Sequence, residues 1–322
     1  MPRWEVKVFQ RARRHEIAKH KMNTRNFSNS FLAVFPFRSL VGAMALLASV
    51  WLVSAQPDPL SVWTNRPYTR LPGDYFGLEN YGFSRVIYAQ GIFAAVGSSY
   101  DNGTIITSPD GLQWASQSVS VPGAPSFPGA VYDICYGGGR FVAVGWCGTT
   151  VTGNGTNWTE AVITYPDRCG PTMEGVTYGS GYFVAVGYGG TTNCMVSTNG
   201  SNWVMRKSVV GFSSLKHVAY GNGEFIATSD DGIARAPAAY LAYPTSFQLF
   251  LRLSSLPSWD VAFGAGVFVI TSPTGIYLRA NGDFSYTLVN TSSVRRVSYT
   301  TGGFVGLTTD AAHAGEVGRR LR

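Results

Sequence analysis

One short pattern occurs six times between residues 86 and 308, and it constrains the fold more than any other feature of the chain. Each copy has an aromatic residue, a turn that contains glycine, and a phenylalanine five residues after the aromatic residue. The aromatic residues are Tyr88, Tyr136, Tyr178, Tyr220, Phe263 and Tyr299, and the phenylalanines are Phe93, Phe141, Phe183, Phe225, Phe268 and Phe304. Six copies in one internal register, spaced by 36 to 48 residues, indicate a repeat architecture.

Each repeat predicts four strands, A to D, joined by tight turns. Strand A ends near the aromatic residue, a Gly/Asn turn follows, and strand B begins at the phenylalanine, because Gly and Asn accept the positive φ of short hairpins. The turn between strands C and D carries a strong hairpin dipeptide in four copies, namely Asp110-Gly111, Asn154-Gly155, Asn199-Gly200 and Asn281-Gly282. Strand D carries Trp114, Trp158 and Trp203, with Phe284 in the same role.

Four antiparallel strands in about 40–45 residues are typical of a propeller blade. The sequence therefore predicts an all-β fold, a β-propeller of six four-stranded blades whose aromatic anchors pack between blades. The last repeat is short, and Ser61-Val-Trp63-Thr64 resembles an unpaired strand D. We expect residues 60–66 to complete the last blade and close the ring, and the alternative is an incomplete carboxyl end.

The first 55 residues have the composition of a targeting segment. They hold nine Lys/Arg and two acidic residues, followed by the apolar run 40–55, which ends Val53-Ser54-Ala55. This is a secretory signal pattern, with an uncleaved anchor or a transit sequence as alternatives. We therefore divide the chain into a leader (1–55), a linker with the closing strand (56–85) and the propeller (86–322). Membrane contact is expected only if the signal segment stays uncleaved.

The charge of the chain lies in its leader. The formal net charge is +7, but removing the leader from the totals of 25 basic and 18 acidic residues leaves 16 of each. A neutral domain with sparse charge has no basic face for nucleic acid, so we expect no nucleic-acid partner.

Cysteines and glycosylation sequons are compatible with secretion. The four cysteines are Cys135, Cys147, Cys169 and Cys194, and Cys147 and Cys169 both fall in loops of the same face. We expect a Cys147–Cys169 disulfide, whereas pairing of Cys135 with Cys194 is less favoured because Cys135 occupies a small core position. Asn-x-Ser/Thr sequons stand at Asn102, Asn154, Asn157, Asn199 and Asn290.

Three turns between strands C and D carry a family resemblance. They are Ser108-Pro-Asp110-Gly111-Leu-Gln-Trp114, Thr152-Gly-Asn154-Gly155-Thr-Asn-Trp158 and Ser197-Thr-Asn199-Gly200-Ser-Asn-Trp203. They resemble the Asp-box, or BNR, repeat of sialidase-like propellers, although they are one residue shorter and two copies have Asn for Asp. The resemblance implies a folding motif on the rim, in a secreted propeller similar to cell-wall-associated proteins and lumenal photosystem assembly factors. The Arg-Ile-Pro signature of sialidases is missing, so no catalytic residue is carried over.

Propeller geometry predicts where a ligand would bind. The D–A and B–C connections lie on one face, the top, and the residues three positions before each aromatic anchor form a ring at the channel mouth. They are Arg85, Asp133, Gly175, His217, Asp260 and Arg296, with Glu174 and Lys216 one step earlier. Ionisable groups concentrated in a weakly charged domain favour a ligand site, and ion pairs that only close the channel are the alternative.

Loops of the same face add aromatic and polar residues. They are Tyr100, Asp101, Trp146, Tyr188, Asp230, Asp231, Tyr165, Asp167 and Arg168. Exposed aromatic rings beside polar groups suit sugar binding, and anchoring of the loops is the alternative. Neither a metal-ligand spacing nor a cofactor motif is found, so we expect no metal and no cofactor.

Taken together, these patterns favour a secreted, non-catalytic propeller that binds a glycan, a polysaccharide or an extracellular protein on its top face. A sialidase-like glycoside-acting enzyme and a structural wall or matrix scaffold are the alternatives, because one propeller scaffold hosts many functions.

Overall fold

The structure is a computed structural model, and it describes residues 5–8, 68–69, 82–99, 102–120, 129–161, 170–189, 193–207, 211–243, 248–280, 285–300 and 303–308. These residues fall within one compact unit. Most of them lie in six β-sheets, one for each sequence repeat. The sheets are the blades of a six-bladed β-propeller, as the repeat predicts.

The first three blades follow the chain order of the repeats. β1 (Glu5–Val8) belongs to the sixth blade, described below. The first blade has β2 (Tyr68–Thr69), β3 (Gly82–Ala89), β4 (Ile92–Ser99), β5 (Asn102–Ser108) and β6 (Trp114–Ser116). The second has β7 (Val119–Ser120), β8 (Val131–Gly137), β9 (Arg140–Gly145), β10 (Thr150–Gly153) and β11 (Trp158–Glu160), and the third has β12 (Thr172–Gly179), β13 (Tyr182–Tyr188), β14 (Cys194–Ser197) and β15 (Val204–Arg206).

The last three blades continue in the same way. The fourth has β16 (Val218–Gly221), β17 (Glu224–Ser229), β18 (Gly232–Pro237) and β19 (Leu251–Ser254), and the fifth has β20 (Asp260–Gly264), β21 (Val267–Ser272), β22 (Gly275–Ala280) and β23 (Thr287–Asn290). The sixth has β24 (Arg296–Thr300) and β25 (Gly303–Thr308). Two 3₁₀ helices, Trp146–Gly148 and Ala238–Ala242, complete the regular elements of the described residues.

Strands A and B form tight antiparallel hairpins because their turns tolerate positive φ. In the fourth blade, Asn222 and Gly223 have φ of 51° and 81°, and Tyr220 pairs with Phe225 across the hairpin. Both central residues of a type I′ turn need positive φ, which Asn-Gly supplies at little cost. The turn therefore sets the register that places the aromatic anchor beside the phenylalanine, with ring centroids 4.8 Å apart.

The third to sixth blades each pack their aromatic anchor onto a glycine of the preceding blade. A Cβ atom on Gly137, Gly179, Gly221 or Gly264 would lie 2.0 to 2.2 Å from a ring atom of Tyr178, Tyr220, Phe263 or Tyr299, respectively. Only glycine permits this approach at these positions. The phenylalanines of the second to fifth blades, Phe141, Phe183, Phe225 and Phe268, are wholly buried between sheets, which confirms their predicted role in the core.

The turns between strands C and D are held by their own side chains. In the first blade, the Asp110 carboxylate accepts hydrogen bonds from the backbone N–H groups of Leu112 (2.8 Å) and Gln113 (3.1 Å), and Trp114 Nε1 donates to the carbonyl oxygen of Gly111 (3.3 Å). In the third blade, Asn199 Oδ1 accepts the corresponding bonds from Ser201 and Asn202. Asx turns of this kind are closed by hydrogen bonds between residues close in sequence.

The blades differ from the expected four strands at both ends of the array. β2 and β7 each add a parallel strand to the outer edge of the first and second blades. In the sixth blade, Glu5–Val8 pairs with β25, although the sequence assigns these residues to the leader. The predicted closing strand 60–66, the apolar run 40–55 and Phe284 lie outside the described residues. No helix in the described part of the chain is long and apolar enough to cross a membrane.

Candidate functional site

The predicted ring residues converge at one end of the inner strands, at or next to the start of each strand A. Because strand A begins where strand B ends, this end also carries the B–C loops, and we call it the top face. In the second blade, for example, Val131 at the start of β8 pairs with Gly145 at the end of β9. The ring therefore lies beside the loops that carry Trp146 and Tyr188.

Arg85 bridges two carboxylates of other blades. Its Nε lies 2.8 Å from Asp133 Oδ1, and its Nη1 lies 3.9 Å from Asp260 Oδ2. The Arg85 side chain is 19% exposed, whereas those of Asp133 and Asp260 are 1% and 0% exposed. The negative charge of Asp133 has the largest effect and raises the pKa of Arg85. Burial lowers this pKa by a smaller amount, and the charge of Asp260 raises it further, so this guanidinium is always charged.

Asp133 and Asp260 each connect two neighbouring blades through hydrogen bonds. Asp133 Oδ1 accepts a hydrogen bond from its own blade at Ile134 N, and Oδ2 accepts one from the next blade at Val176 N, both 2.9 Å long. Asp260 repeats the arrangement with Val261 N at 2.8 Å and Val297 N at 2.9 Å. Their carboxylates are thus engaged by backbone donors and an arginine, and they hold the second blade to the third and the fifth to the sixth.

His217 and Arg296 form the other half of the ring. The Arg296 guanidinium contacts the His217 ring, with Nη1 3.1 Å from Nδ1, and Nδ1 lies 4.0 Å from Asp260 Oδ1. Burial, then the positive charges of Arg296 and Arg85, lower the pKa of His217 well below its ordinary value. A neutral histidine does not neutralise the charge of Arg296, and no described carboxylate lies within 4.0 Å of Arg296, although its charge acts on Glu174 at longer range.

Glu174 and Lys216 stand on the same face. Glu174 is half-buried at a bulge of β12, and burial raises its pKa, with a smaller opposing effect from the charges of Lys216 and Arg296. Lys216 Nζ forms an ion pair of 2.6 Å with Asp230 Oδ1. The ring residues therefore form a cluster of mixed charge, and part of this cluster consists of ion pairs.

Trp146 and Tyr188 occupy equivalent positions on adjacent blades, directly after the last glycine of strand B. Both side chains are exposed. Cys147 N donates to Thr172 Oγ1 (3.2 Å), and Thr172 is the strand partner of Tyr188. The hydrogen bond to the Thr172 side chain and the strand pairing of Thr172 with Tyr188 thus connect the segments that carry the two aromatic residues.

The Cys147 segment is constrained covalently. Cys147 is disulfide-bonded and adopts a φ of 57° inside its 3₁₀ helix. Its predicted partner, Cys169, lies outside the described residues. Cys135 and Cys194 are free thiols, so the less favoured pairing between them does not occur.

The remaining residues predicted for the top-face loops and for glycosylation are only partly described by the structure. Tyr100, Asp101, Tyr165, Asp167 and Arg168 lie outside the described residues, as does the side chain of Asn102. Asn154 and Asn157 are exposed, whereas Asn199 and Asn290 are half-buried. Asn154, Asn199 and Asn290 use their side-chain oxygens to accept backbone bonds in local turns. Glycosylation of the sequons stays a prediction.

Two arrangements were not predicted from the sequence. Arg295, next to Arg296, stacks its guanidinium 3.8 Å from the ring centroid of Trp259 at the top face. Glu224 forms ion pairs with Arg235 and Arg279 between the fourth and fifth blades. Arg279 and Arg235 appear in the sequence as isolated charges on strands C, and nothing in the repeat pattern pairs them with Glu224. Among the described residues, no group of side chains has the composition of a metal site.

Comparison with known proteins identifies the fold but no family. No protein-family model matches the sequence, and no curated protein sequence matches it. A streptogramin B lyase structure is similar with a TM-score of 0.54 and 13% identity, over 72% of this chain and 78% of that chain. YCF48 from Cyanidioschyzon merolae is similar with a TM-score of 0.51 and 16% identity, over 71% of this chain and 83% of that one.

A third similar structure is the extracellular domain of BT4673 from B. thetaiotaomicron, with a TM-score of 0.50 and 8% identity. The match covers 74% of this chain and 34% of that chain. At such identities the similarity shows the fold alone, and function has to be argued from the site.

Proposed function

We propose that this chain is a non-catalytic binding propeller that holds a protein partner on its top face. One observation carries the proposal: the buried carboxylates of the ring hold neighbouring blades together, whereas the Trp146 and Tyr188 side chains are exposed and the Arg296 guanidinium contacts His217 and no described carboxylate within 4.0 Å. Trp, Tyr and Arg are the residues most enriched among binding hot spots. A partner with an acidic side chain would complement the positive charge of Arg296.

The engagement of the aspartates supports binding over the glycosidase alternative. Glycoside hydrolysis needs two carboxyl groups that reach the substrate, one to donate a proton and one to act as base or nucleophile. Asp133 and Asp260 are buried, and each accepts two backbone hydrogen bonds and faces Arg85. Loss of either carboxylate would weaken blade packing, which explains these residues without a catalytic role.

A glycan is the second candidate ligand, and the spacing of Trp146 and Tyr188 on adjacent blades favours it. Two exposed aromatic rings in a braced segment could stack on successive sugar rings. The Asp-box resemblance and secretion belong to the same proposal. The Asx-type turns support the Asp-box resemblance. The Cys147 disulfide supports secretion, because disulfides persist in oxidising compartments.

The test begins with affinity capture by the purified full-length protein from extracellular and membrane fractions of the source organism. Each captured protein is then titrated against the wild type, a Trp146→Ala/Tyr188→Ala variant and Arg296→Gln. We expect each variant to weaken binding at least about tenfold. Leu112→Ala is the control, because Leu112 is exposed in a C–D turn at the opposite face.

Two results would contradict the proposal. Variants that bind every captured protein as tightly as the wild type would remove the top face from the interaction. Saturable binding to one sugar class on a glycan array, lost in the Trp146→Ala/Tyr188→Ala variant and without any protein partner, would replace the protein ligand with a glycan.

A further inference from the structure

The C–D turns of the second and third blades have a glycosylation sequon at the residue that closes the turn. In the first blade this residue is Asp110, whereas it is Asn154 in the second blade and Asn199 in the third. Thr156 and Ser201 follow these asparagines two residues later. Asn-x-Ser/Thr is the acceptor sequence of N-linked glycosylation. Asn in place of Asp thus gives two copies of the turn a chemical group that the first copy lacks.

The turn uses only the oxygen of each Asn side chain. Asn154 Oδ1 accepts hydrogen bonds from the backbone N–H groups of Thr156 (3.0 Å) and Asn157 (2.8 Å). Asn199 Oδ1 accepts the two corresponding bonds in the third blade. Asp110 Oδ1 accepts the same pair in the first blade. One side-chain oxygen is therefore sufficient to close the turn, and the Asn Nδ2 is not needed for it.

The Nδ2 atoms of both asparagines are open to solvent. Within the described residues, neither Asn154 nor Asn199 donates a hydrogen bond from Nδ2. The Asn154 side chain is exposed, and Asn199 is half-buried without enclosing its Nδ2. Asn193 is a contrasting case, because both polar atoms of its side chain are buried without a partner. A substituent on Nδ2 of Asn154 or Asn199 therefore extends into solvent and breaks no hydrogen bond.

The hydroxyl of the second-blade sequon lies next to the acceptor side chain. Thr156 Oγ1 donates a hydrogen bond of 3.0 Å to Asn154 Oδ1, and Thr156 is exposed. In the third blade, the backbone N–H of Ser201 donates to Asn199 Oδ1 (3.0 Å). The amide and the hydroxyl residue of each sequon thus stand side by side in one turn at the surface.

Both turns lie at the ends of their blades that are opposite to the top face. Strand C begins after the B–C loop, which belongs to the top face, and the C–D turn follows its other end. Trp146 and Tyr188 stand at the top-face ends of the same two blades. A glycan on either C–D turn therefore leaves the proposed ligand site open.

We propose that Asn154 and Asn199 carry N-linked glycans. The proposal rests on secretion, which belongs to the proposed function. Nδ2 forms a bond to the anomeric carbon of an oligosaccharide that is linked to a lipid diphosphate. The bond between this carbon and the phosphate oxygen breaks, and the lipid diphosphate leaves with the electron pair. Nδ2 gives up one of its two protons to a base of the transferring enzyme, and the product amide keeps the carbonyl oxygen that closes the turn.

The test uses the full-length protein produced in a eukaryotic cell. An amidase that releases N-glycans, applied in heavy-oxygen water, converts each glycosylated Asn to a labelled Asp, and mass spectrometry of peptides locates the label. We expect the label at Asn154 and Asn199. Fragment spectra separate Asn154 from Asn157, which stands in the same turn.

Variants that keep the turn test the two sites. Asn154→Asp and Asn199→Asp retain the closing oxygen, as Asp110 does, and each should remove one glycan while circular dichroism shows a folded protein. Thr156→Ala should remove the glycan of Asn154, whereas the conservative Thr156→Ser should retain it, because only the second variant keeps the hydroxyl.

The first blade provides a matched gain of function. Asp110→Asn combined with Leu112→Thr gives its C–D turn the same sequon, and Leu112 is exposed. We expect one additional glycan in this double variant. Asp110→Asn alone is the control, and it should gain none because position 112 then lacks a hydroxyl.

Two results would overturn the proposal, and protection from added protease in isolated membrane vesicles distinguishes them. A chain that is protected inside the vesicles but unlabelled at Asn154 and Asn199 would rule out these glycans and leave secretion intact. A chain that remains accessible to the protease and carries no label would rule out both the glycans and the secretion on which they rest.

Discussion

The first blade and the third blade have the same repeat pattern but different surroundings. In the third blade, Val176 and Phe183 are buried against the second blade, and Tyr178 lies on Gly137. In the first blade, Val86 and Tyr88 are exposed and Phe93 is only half-buried. The strands form equally well in both, since Ala89 to Phe83 pair with β4 as regularly as β12 pairs with β13. A blade can therefore form its hairpins without the stacking that buries its anchors, and most of the burial comes from the neighbour.

The largest expected effect comes from deleting a stacked phenylalanine. Phe183→Ala should lower the free energy of unfolding by about 3–5 kcal/mol, because it leaves a cavity between two sheets. Phe93→Ala, the same change in the first blade, should cost about 1–2 kcal/mol, since part of that ring already contacts solvent. Urea denaturation measures both, and equal losses would show that the first blade is stacked in solution.

A smaller effect is expected from the glycine contact. Gly179→Ala should destabilise the fold by about 1–3 kcal/mol, because its methyl group collides with the ring of Tyr220. Thr300→Gly, which creates the missing glycine in the sixth blade, should change stability by no more than about 1 kcal/mol. If Thr300→Gly is clearly stabilising, the sixth blade does reach Tyr88, and the difference between the blades disappears.

The stability of the fold should also depend on pH through His217, next to the start of strand A in the fourth blade. Burial and neighbouring positive charges lower the pKa of His217 in the folded state, so protonation favours unfolding. The stability that this residue contributes is present above about pH 6.5, its ordinary pKa, and is lost as the pH falls below that value. Thermal melting of the wild type and His217→Gln between pH 8 and 5 tests this prediction. The variant should lose less stability on acidification, and parallel curves would contradict it.

The smallest effect is expected at Val86, on the exposed side of β3 in the first blade. Val86→Thr should change the free energy of unfolding by no more than about 0.5 kcal/mol, as for an ordinary surface substitution. Val204→Thr, at another exposed strand position, is the matched control. A loss well above that of the control would mean that Val86 is buried in solution by the protein itself.

The repeat made the architecture and the ring predictable, whereas the roles of the ring residues depended on packing. A constant distance from each aromatic anchor was enough to bring Arg85, Asp133 and Asp260 together. The role of the two aspartates in holding neighbouring blades together was not predictable. It depends on hydrogen bonds from backbone N–H groups of the next blade, which cannot be inferred from a pattern of side chains.

The contact between an aromatic ring and the glycine of the preceding blade has a direction, because the second to fifth blades each offer a ring on one side and a glycine on the other. Head-to-tail contacts of this kind can continue until the array closes on itself or meets a terminating surface. Nothing within a single blade specifies how many blades there should be. The series of ring-to-glycine contacts is interrupted at Thr300 and at the exposed surface of β3. A copy of the repeat inserted between two middle blades would be complementary to both of its neighbours.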